Sequence, residues 1–189
     1  MSVPIRIETE FGIIRVELFD TEAPITVTNF LHYVEEGMYD RGRFHRTVTA
    51  DNNANENLDL TEEELASGQA PNDEIAIQVI QAGINDERLN ELGDPIPLER
   101  TSETGLQHLD GTLSMARSTP DSAVSDFFIC INDQPALDFG GMRNPDGQGF
   151  AAFGRVTEGM DVVRNIQSQP AKGQILDPAV SIIKIEREN

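Results

Sequence analysis

The sequence predicts a mainly β protein with two α-helices around one core. Short runs rich in β-branched and aromatic residues recur along the chain, separated by Gly, Pro, Asn and Asp. Only two stretches place apolar residues at helical spacing. The length, 189 residues, suits one domain with a sizeable core. A closed barrel would suit so many short strands, because closure leaves no exposed strand edge.

The elements follow in order from the pattern. Residues 3–9 and 12–19 alternate apolar and polar side chains and turn at Phe11-Gly12, which predicts two strands. Pro24 suits the first turn of the helix that follows, and Gly37 ends it. Further strands are predicted at 42–48, 75–83, 112–116, 127–131, 150–156 and 180–186, with a second helix at 157–166.

Composition excludes several classes of function. The net charge is −19, with two lysines in the whole chain, so we expect no binding to nucleic acid. No run approaches the ~18 apolar residues of a membrane span. Cys130 is the single cysteine, which rules out an intramolecular disulfide and suggests a buried small hydrophobe. The compartment stays open between the cytoplasm and, if a signal peptide has been removed, the periplasm.

The stretch from Gly111 to Ile131 contains the most specific sequence motifs. It contains Leu-Ser-Met-Ala-Arg at 113–117 and Ser-Asp-Phe-Phe-Ile at 125–129. Phe-His-Arg at 44–46, Val-Ile-Gln-Ala-Gly at 79–83 and Gly-Met-Asp-Val at 159–162 stand around it in matching order. Together these motifs resemble the cyclophilins, and Arg after Met-Ala resembles their bacterial branch. The resemblance implies one domain over 1–189, a closed eight-stranded antiparallel β-barrel capped by two α-helices.

The resemblance also implies an activity, the cis–trans isomerisation of Xaa-Pro peptide bonds. In that family the Arg of Phe-His-Arg is the principal catalytic residue, and the role falls here on Arg46, with Gln81 beside it. No cofactor and no metal are needed, because the reaction breaks no bond. The expected partners are proline-containing peptides and unfolded or folding proteins, and we expect a monomer.

The substrate site that the resemblance implies departs from the family in places. Its residues are Phe44, Val79, Ala116, Arg117, Asp126, Phe128, Ala136, Leu137 and Phe150. Ala136 stands where the family usually has Trp or Phe, Asp126 where it has Gln, and Gln78 where a Phe floors the proline site. Because Arg46 and Gln81 are retained, isomerase activity, in full or weakened form, is the leading hypothesis. The alternative is a barrel that binds proline peptides or a partner protein with weak or no catalysis.

Two insertions interrupt the resemblance, an acidic one at 49–76 and a Gly-rich loop at 139–149. The Gly-rich loop is expected to be a surface turn. The first has oxygen side chains at the spacing of an EF-hand calcium loop, on Asp51, Asn53, Asn55, Asn57, Asp59 and Glu62. Glu56 stands where that loop needs Gly, so the alternative is a flexible loop leading into a short helix capped by Thr61 and Glu64. A third hypothesis places a new function in this insertion, with the barrel as scaffold.

Overall fold

The computed structural model describes residues 2–53, 72 and 74–189, and this part of the chain folds around one antiparallel sheet. Its strands are β1 (Ser2–Thr9), β2 (Gly12–Phe19), β3 (Arg43–Val48), β4 (Val79–Gly83), β5 (Thr112–Met115), β6 (Phe127–Cys130), β7 (Ala152–Glu158), β8 (Ala171–Lys172) and β9 (Ile175–Arg187). Its α-helices are α1 (Pro24–Glu35), α2 (Thr101–Thr104) and α3 (Met160–Gln167).

The sheet closes on itself. The hydrogen-bonded order is β1-β2-β7-β5-β6-β4-β3-β9, and β9 then pairs with β1, so eight strands of the described chain form a barrel. Ile5 shows the closure, because it lies opposite Val16 of β2 on one side and Arg187 of β9 on the other. The short β8 pairs with β9 alongside the barrel. The predicted closed, eight-stranded, mainly β architecture is confirmed.

The barrel interior is filled by large apolar side chains. Phe30 of α1 contacts the rings of Tyr39, Phe127 and Phe153, with centroids 5.2–5.3 Å apart. Inward-facing residues of the barrel strands supply most of the rest of this core. The amphipathic α3 packs on β2, β3 and β4 and buries Val163 and Ile166. Burial of these side chains is the main stabilising contribution to the fold.

Several elements begin or end away from their predicted bounds. The strand predicted at 75–83 starts at Val79, and the helix predicted at 157–166 starts at Met160, because Gly159 takes φ +97° and separates it from β7. β9 begins at Ile175, five residues early, because those residues pair with β3 and β8. A 3₁₀ helix at Asp86–Glu91 lies outside every predicted element.

A β-bulge lies in β3 at His45. Phe44 pairs with Ala82 of β4 and Arg46 pairs with Gln81, so two steps along β3 match one step along β4. The bulge breaks the alternation of faces. Phe44 is fully buried in the barrel interior, whereas Arg46 is partly exposed on the outer side. Simple alternation along the strand predicts that Phe44 and Arg46 share a face, and that prediction is wrong because alternation cannot anticipate an extra residue.

Candidate active site

A second, smaller apolar cluster lies on the outer face of the barrel. Val79 of β4 and Phe128 of β6 belong to it, while their neighbours Ile80 and Phe127 point into the barrel. Val48, Ile77, Cys130 and Leu137 complete its buried part, and Ala116, Ala136 and Phe150 pack against it. Adjacent strands thus present one apolar wall outside the core.

This wall borders a cavity of about 530 Å³. Its lining combines the apolar cluster with polar and charged groups, namely Arg46, Ile77, Val79, Gln81, Leu92, Ala116, Arg117, Ser118, Ser122, Val124, Ser125, Asp126, Phe128, Leu137, Arg143, Asn144 and Phe150. A mostly apolar concave site with a few convergent polar groups is the usual form of a small-ligand site.

Among the described residues, two glutamine amides hold Arg46 at the cavity. Its Nη1 donates to Gln81 Oε1 at 3.0 Å. Its Nε and Nη2 both donate to Gln174 Oε1, at 2.9 and 2.7 Å. A neutral amide oxygen orients a guanidinium without cancelling its charge, and hydrogen bonds to charged groups are the stronger ones. The geometry therefore presents an oriented positive charge beside an apolar wall.

Gln81 also connects Arg46 to a carboxylate. Its Nε2 donates to Asp126 Oδ2 at 3.2 Å, and the same oxygen lies 3.0 Å from His45 Nε2. Gln81 can serve both neighbours because its amide has an oxygen for Arg46 and a nitrogen for Asp126. His45, the bulged residue of β3, thus joins the polar edge of the site through Asp126.

Arg117 fastens the Gly-rich loop to the cavity. Its Nη1 and Nη2 donate to the two carboxylate oxygens of Asp146, at 2.8 and 3.0 Å, and its Nε donates to Gly149 O at 2.9 Å. Its guanidinium also lies 4.7 Å from the centroid of the Phe150 ring. Burial acts to raise the pKa of Asp146, but the bonds from Arg117 and the Gln148 backbone outweigh it and leave that pKa below its ordinary value.

Comparison with known proteins identifies the family. The family model of the cyclophilin-type peptidyl-prolyl cis-trans isomerases matches residues 4–187. The chain belongs to the cyclophilin family. It is 34% identical to a peptidyl-prolyl cis-trans isomerase of Streptomyces antibioticus, covering 86% of this chain and 82% of that one. It is 32% identical to peptidyl-prolyl cis-trans isomerase B of Escherichia coli, covering 84% and 80%.

Solved cyclophilin structures share the fold. A Cryptosporidium parvum cyclophilin-type isomerase superposes with a TM-score of 0.72 at 20% identity, covering 100% of this chain and 99% of that one. The same protein crystallised in the presence of the dipeptide Ala-Pro gives a TM-score of 0.71, with 98% and 99% covered. The predicted family and enzyme class are confirmed, and the roles of individual residues remain predictions. No helix in the described residues is long and apolar enough to cross a membrane.

The cyclophilin barrel brings most of the predicted site residues together. Arg46, Gln81, Val79, Ala116, Arg117, Asp126, Phe128, Leu137 and Phe150 all line the cavity. Phe44 does not, because the bulge leaves it inside the barrel. Ala136 packs against the apolar cluster but does not line the cavity. Gln78, expected at the floor, accepts a hydrogen bond from Gln167 of α3, and Ile77 lines the cavity in its vicinity.

Sequence reasoning missed part of the lining. Ile77, Leu92, Ser118, Ser122, Val124, Ser125, Arg143 and Asn144 line the cavity without having been predicted. Arg143 and Asn144 belong to the Gly-rich loop, which is therefore more than a surface turn, since both are buried. Buried charge on a loop is rare, but nothing in the sequence alone distinguishes it from the usual exposed arginine.

The calcium hypothesis loses one of its six ligands. The side chain of Asn53 is buried, and its Oδ1 accepts hydrogen bonds from Ile77 N at 2.8 Å and from Arg143 Nη1 at 3.1 Å. Asp51 is exposed beside it. The other predicted ligands, Asn55, Asn57, Asp59 and Glu62, and the capping pair Thr61 and Glu64, lie outside the described residues.

His108 contacts two polar side chains among the described residues. Its Nδ1 lies 2.7 Å from Asp138 Oδ1, and its Nε2 lies 2.8 Å from Ser114 Oγ. The hydrogen bonds connect Asp138, His108 and Ser114 in the order of a hydrolase triad. However, Ser114 is fully buried in β5 and does not reach the cavity. The imidazole also stacks on Phe128 with ring planes 14° apart, so the arrangement supports the apolar wall.

Proposed function

We propose that the protein accelerates cis–trans rotation about Xaa-Pro bonds, acting on proline-containing peptides and on unfolded or folding proteins. One observation carries the proposal: the guanidinium of Arg46 is fixed by two neutral amides at the edge of an apolar cavity. The matched relatives are named as enzymes of this activity. Arg46 is the proposed catalytic residue, with Gln81 helping to orient it.

Rotation about the Xaa-Pro bond needs a positively charged hydrogen-bond donor and an apolar surface that excludes water. Rotation about the peptide bond meets a barrier of about 18–20 kcal/mol, because the nitrogen lone pair is delocalised into the carbonyl. In the twisted state the prolyl nitrogen becomes pyramidal and regains that lone pair. A guanidinium that donates to this nitrogen stabilises the twisted amide more than the planar one, which lowers the barrier. Arg suits the task because it stays charged at every physiological pH.

The apolar wall would hold the proline ring. Val79, Phe128 and Leu137 are buried and face the cavity together. Removing a ring of this size from water stabilises a complex by about 1–3 kcal/mol. The related Cryptosporidium protein has been crystallised in the presence of Ala-Pro, which supports a proline-sized ligand as the first to test.

Asp126 does not argue against catalysis. It replaces the family's Gln, and a carboxylate directly on Arg46 would weaken the electrophile. Here Gln81 lies between them, and the described bonds of Asp126 go to Gln81 and His45. We therefore propose that activity is retained.

We also propose that both insertions belong to one domain. This domain works as a monomer and does not bind nucleic acid.

The deciding experiment is NMR exchange spectroscopy on a set of short Xaa-Pro peptides. Wild type should accelerate exchange, and Arg46→Ala should slow it by about 100-fold or more, as for loss of a principal electrostatic donor. Arg46→Lys should fall between them, because an ammonium lacks the planar fork. Arg41→Ala is the matched control, since Arg41 is exposed and away from the cavity, and it should behave as wild type.

The alternative of a binding module has its own signature in the same spectra. A folded wild-type protein that shifts peptide resonances without accelerating exchange would be a proline-peptide binder. Equal acceleration by wild type and Arg46→Ala would leave an isomerase but remove Arg46 from its mechanism.

A further inference from the structure

Gln174 makes the largest number of described bonds to Arg46. It lies in the turn between β8 and β9, 128 positions along the chain, and is 1% exposed. Its Oε1 accepts from Arg46 Nε at 2.9 Å and from Nη2 at 2.7 Å, so one oxygen bridges two corners of the guanidinium. A single oxygen that accepts from two N–H groups fixes the position of that edge of the guanidinium, and the bond from Nη1 to Gln81 restrains its remaining rotation. Gln174 itself does not line the cavity.

The other end of Gln174 is anchored by the start of the acidic insertion. Its Nε2 donates to Asn52 O at 3.0 Å and to Asn53 O at 3.2 Å. Backbone carbonyls only accept, so they require the NH₂ group on their side and leave the oxygen toward Arg46. The main chain of Gln174 is tied as well, because its carbonyl accepts from Thr47 N at 2.8 Å. The amide therefore has one satisfied orientation.

Asn53 extends this arrangement to the cavity wall. Its Nδ2 donates to Thr49 O at 2.6 Å and to Ile77 O at 3.2 Å, while its Oδ1 accepts from Ile77 N and from Arg143 Nη1. Ile77 and Arg143 both line the cavity. The segment 52–53 thus contacts the candidate electrophile through Gln174 and the wall through Asn53.

We propose that Gln174 is a positioning residue for Arg46, and that residues 52–53 at the start of the acidic insertion set its orientation. The inference rests on the proposed isomerase function. A neutral acceptor is the suitable partner, because a carboxylate at this place would share the charge that the prolyl nitrogen needs. Gln81 holds a third corner of the guanidinium, so loss of Gln174 should loosen Arg46 without removing it from the cavity.

The test compares Gln174→Met and Gln174→Asn with wild type. Met matches the length but cannot accept the bonds, and Asn keeps an amide that is one methylene too short. The matched control is Gln169→Met, because the described side-chain bonds of Gln169 go to Asn165 and it lies outside the cavity. Exchange rates at saturating peptide, peptide affinity, thermal midpoint and the Arg46 Nε–Hε NMR signal are measured for each.

Both Gln174 variants should lower the maximal exchange rate by about tenfold, the equivalent of one hydrogen bond to a charged group. Peptide affinity should stay within about twofold, because the apolar wall is untouched. The Arg46 Nε–Hε signal should broaden through faster solvent exchange in both variants, and Gln169→Met should match wild type throughout. A purely structural role would lower the thermal midpoint without changing the maximal rate or that signal.

Either variant that folds is sufficient to decide. Wild-type exchange and an unchanged Arg46 signal in a folded Gln174 variant would overturn the inference while leaving the proposed function intact. If wild type itself accelerates no exchange, the proposed function fails. The Arg46 signal then still decides whether Gln174 orients the guanidinium, because that readout needs no substrate.

Discussion

Arg46 points toward the cavity because β3 contains one extra residue, the bulge at His45. Without the bulge at His45, strict alternation would place Arg46 on the same face as Phe44, inside the barrel. The bulge instead directs Arg46 outward, next to Gln81. His45 is itself used, because it contacts Asp126 at the polar edge of the site. Bulges commonly redirect a side chain at an active site, and this one has that effect.

The sequence predicts that Arg46 and Gln81 lie together, and the structure brings them into contact, but no sequence pattern indicates Gln174. The first two lie in short motifs whose residues are neighbours along paired strands, β3 and β4. Gln174 meets Arg46 only because the barrel brings the β8–β9 turn to β3. A contact between residues so far apart in the chain leaves no local pattern, and one glutamine in a turn resembles any exposed polar residue.

The thiol of Cys130 should be chemically inert in the native protein. It is fully buried in the apolar cluster behind the cavity, and burial, aided by the charges of Asp138 and Asp110, raises its pKa well above the ordinary value. Since the thiolate is the reactive form, we expect negligible alkylation at pH 8 over hours, and rapid alkylation in denaturant. Mass spectrometry after timed iodoacetamide treatment provides the measurement. Rapid native labelling would show that the cluster opens readily.

At the scale of elements, the Gly-rich loop is folded back against the chain that precedes it. A Cβ on Gly149 would come within 2.6 Å of Asp138 C, and one on Gly141 within 2.3 Å of Ala136 O. Gly149 also has φ +70°, which disfavours other residues. These close approaches allow Arg117 to clamp the loop through Asp146. The prediction of a surface turn therefore understates the loop, whose glycines serve packing as well as turning.

The Arg117–Asp146 clamp should be stable at neutral pH and weaken in acid. The pKa of Asp146 is lowered in the folded protein, so the ionised form contributes stability above the ordinary carboxyl value, about 4. That contribution is lost as the pH falls through the lower, folded pKa. We expect Asp146→Asn to reduce the free energy of unfolding by about 1–3 kcal/mol at pH 7, with a smaller difference from wild type at pH 3.

Urea unfolding of both proteins from pH 3 to 7 measures that difference. Asp94→Asn is a suitable control, because Asp94 is exposed in a loop and its side chain has no described hydrogen bond or ion pair, so it should show little change. A deficit of Asp146→Asn that stays constant over the whole pH range would contradict ionisation as the source of the stability.

At the scale of the whole molecule, the sequence predicts the barrel better than it predicts the cavity on the outer face of the barrel. Strands alternate and turns have characteristic residues, so closure into eight strands follows once the family is recognised. The cavity, in contrast, is completed by Arg143 and Asn144 from one insertion and by Ile77, which directly follows the other. Insertions carry no family pattern, and their docking depends on contacts between distant segments, such as Asn53 with Arg143.

The strongly acidic composition should make stability depend on salt. The chain has 33 acidic against 14 basic residues, so repulsion among carboxylates outweighs attraction overall and opposes the compact state. Ion pairs such as Arg15–Glu158 lie at the surface, where each contributes little and is itself screened. Because the screening length falls from about 30 Å at 0.01 M to about 10 Å at 0.1 M, added salt should relieve the repulsion more than it weakens the pairs.

We therefore expect the thermal midpoint at pH 7 to rise by roughly 2–8 °C between 0.01 and 0.5 M sodium chloride, equivalent to about 1–2 kcal/mol. Differential scanning calorimetry gives the measurement, and choline chloride at equal ionic strength separates screening from specific sodium binding. Equal rises in both salts would support screening. A midpoint that falls with salt would mean that the surface ion pairs outweigh the repulsion, and the acidic surface would then have to be viewed as a network of paired charges.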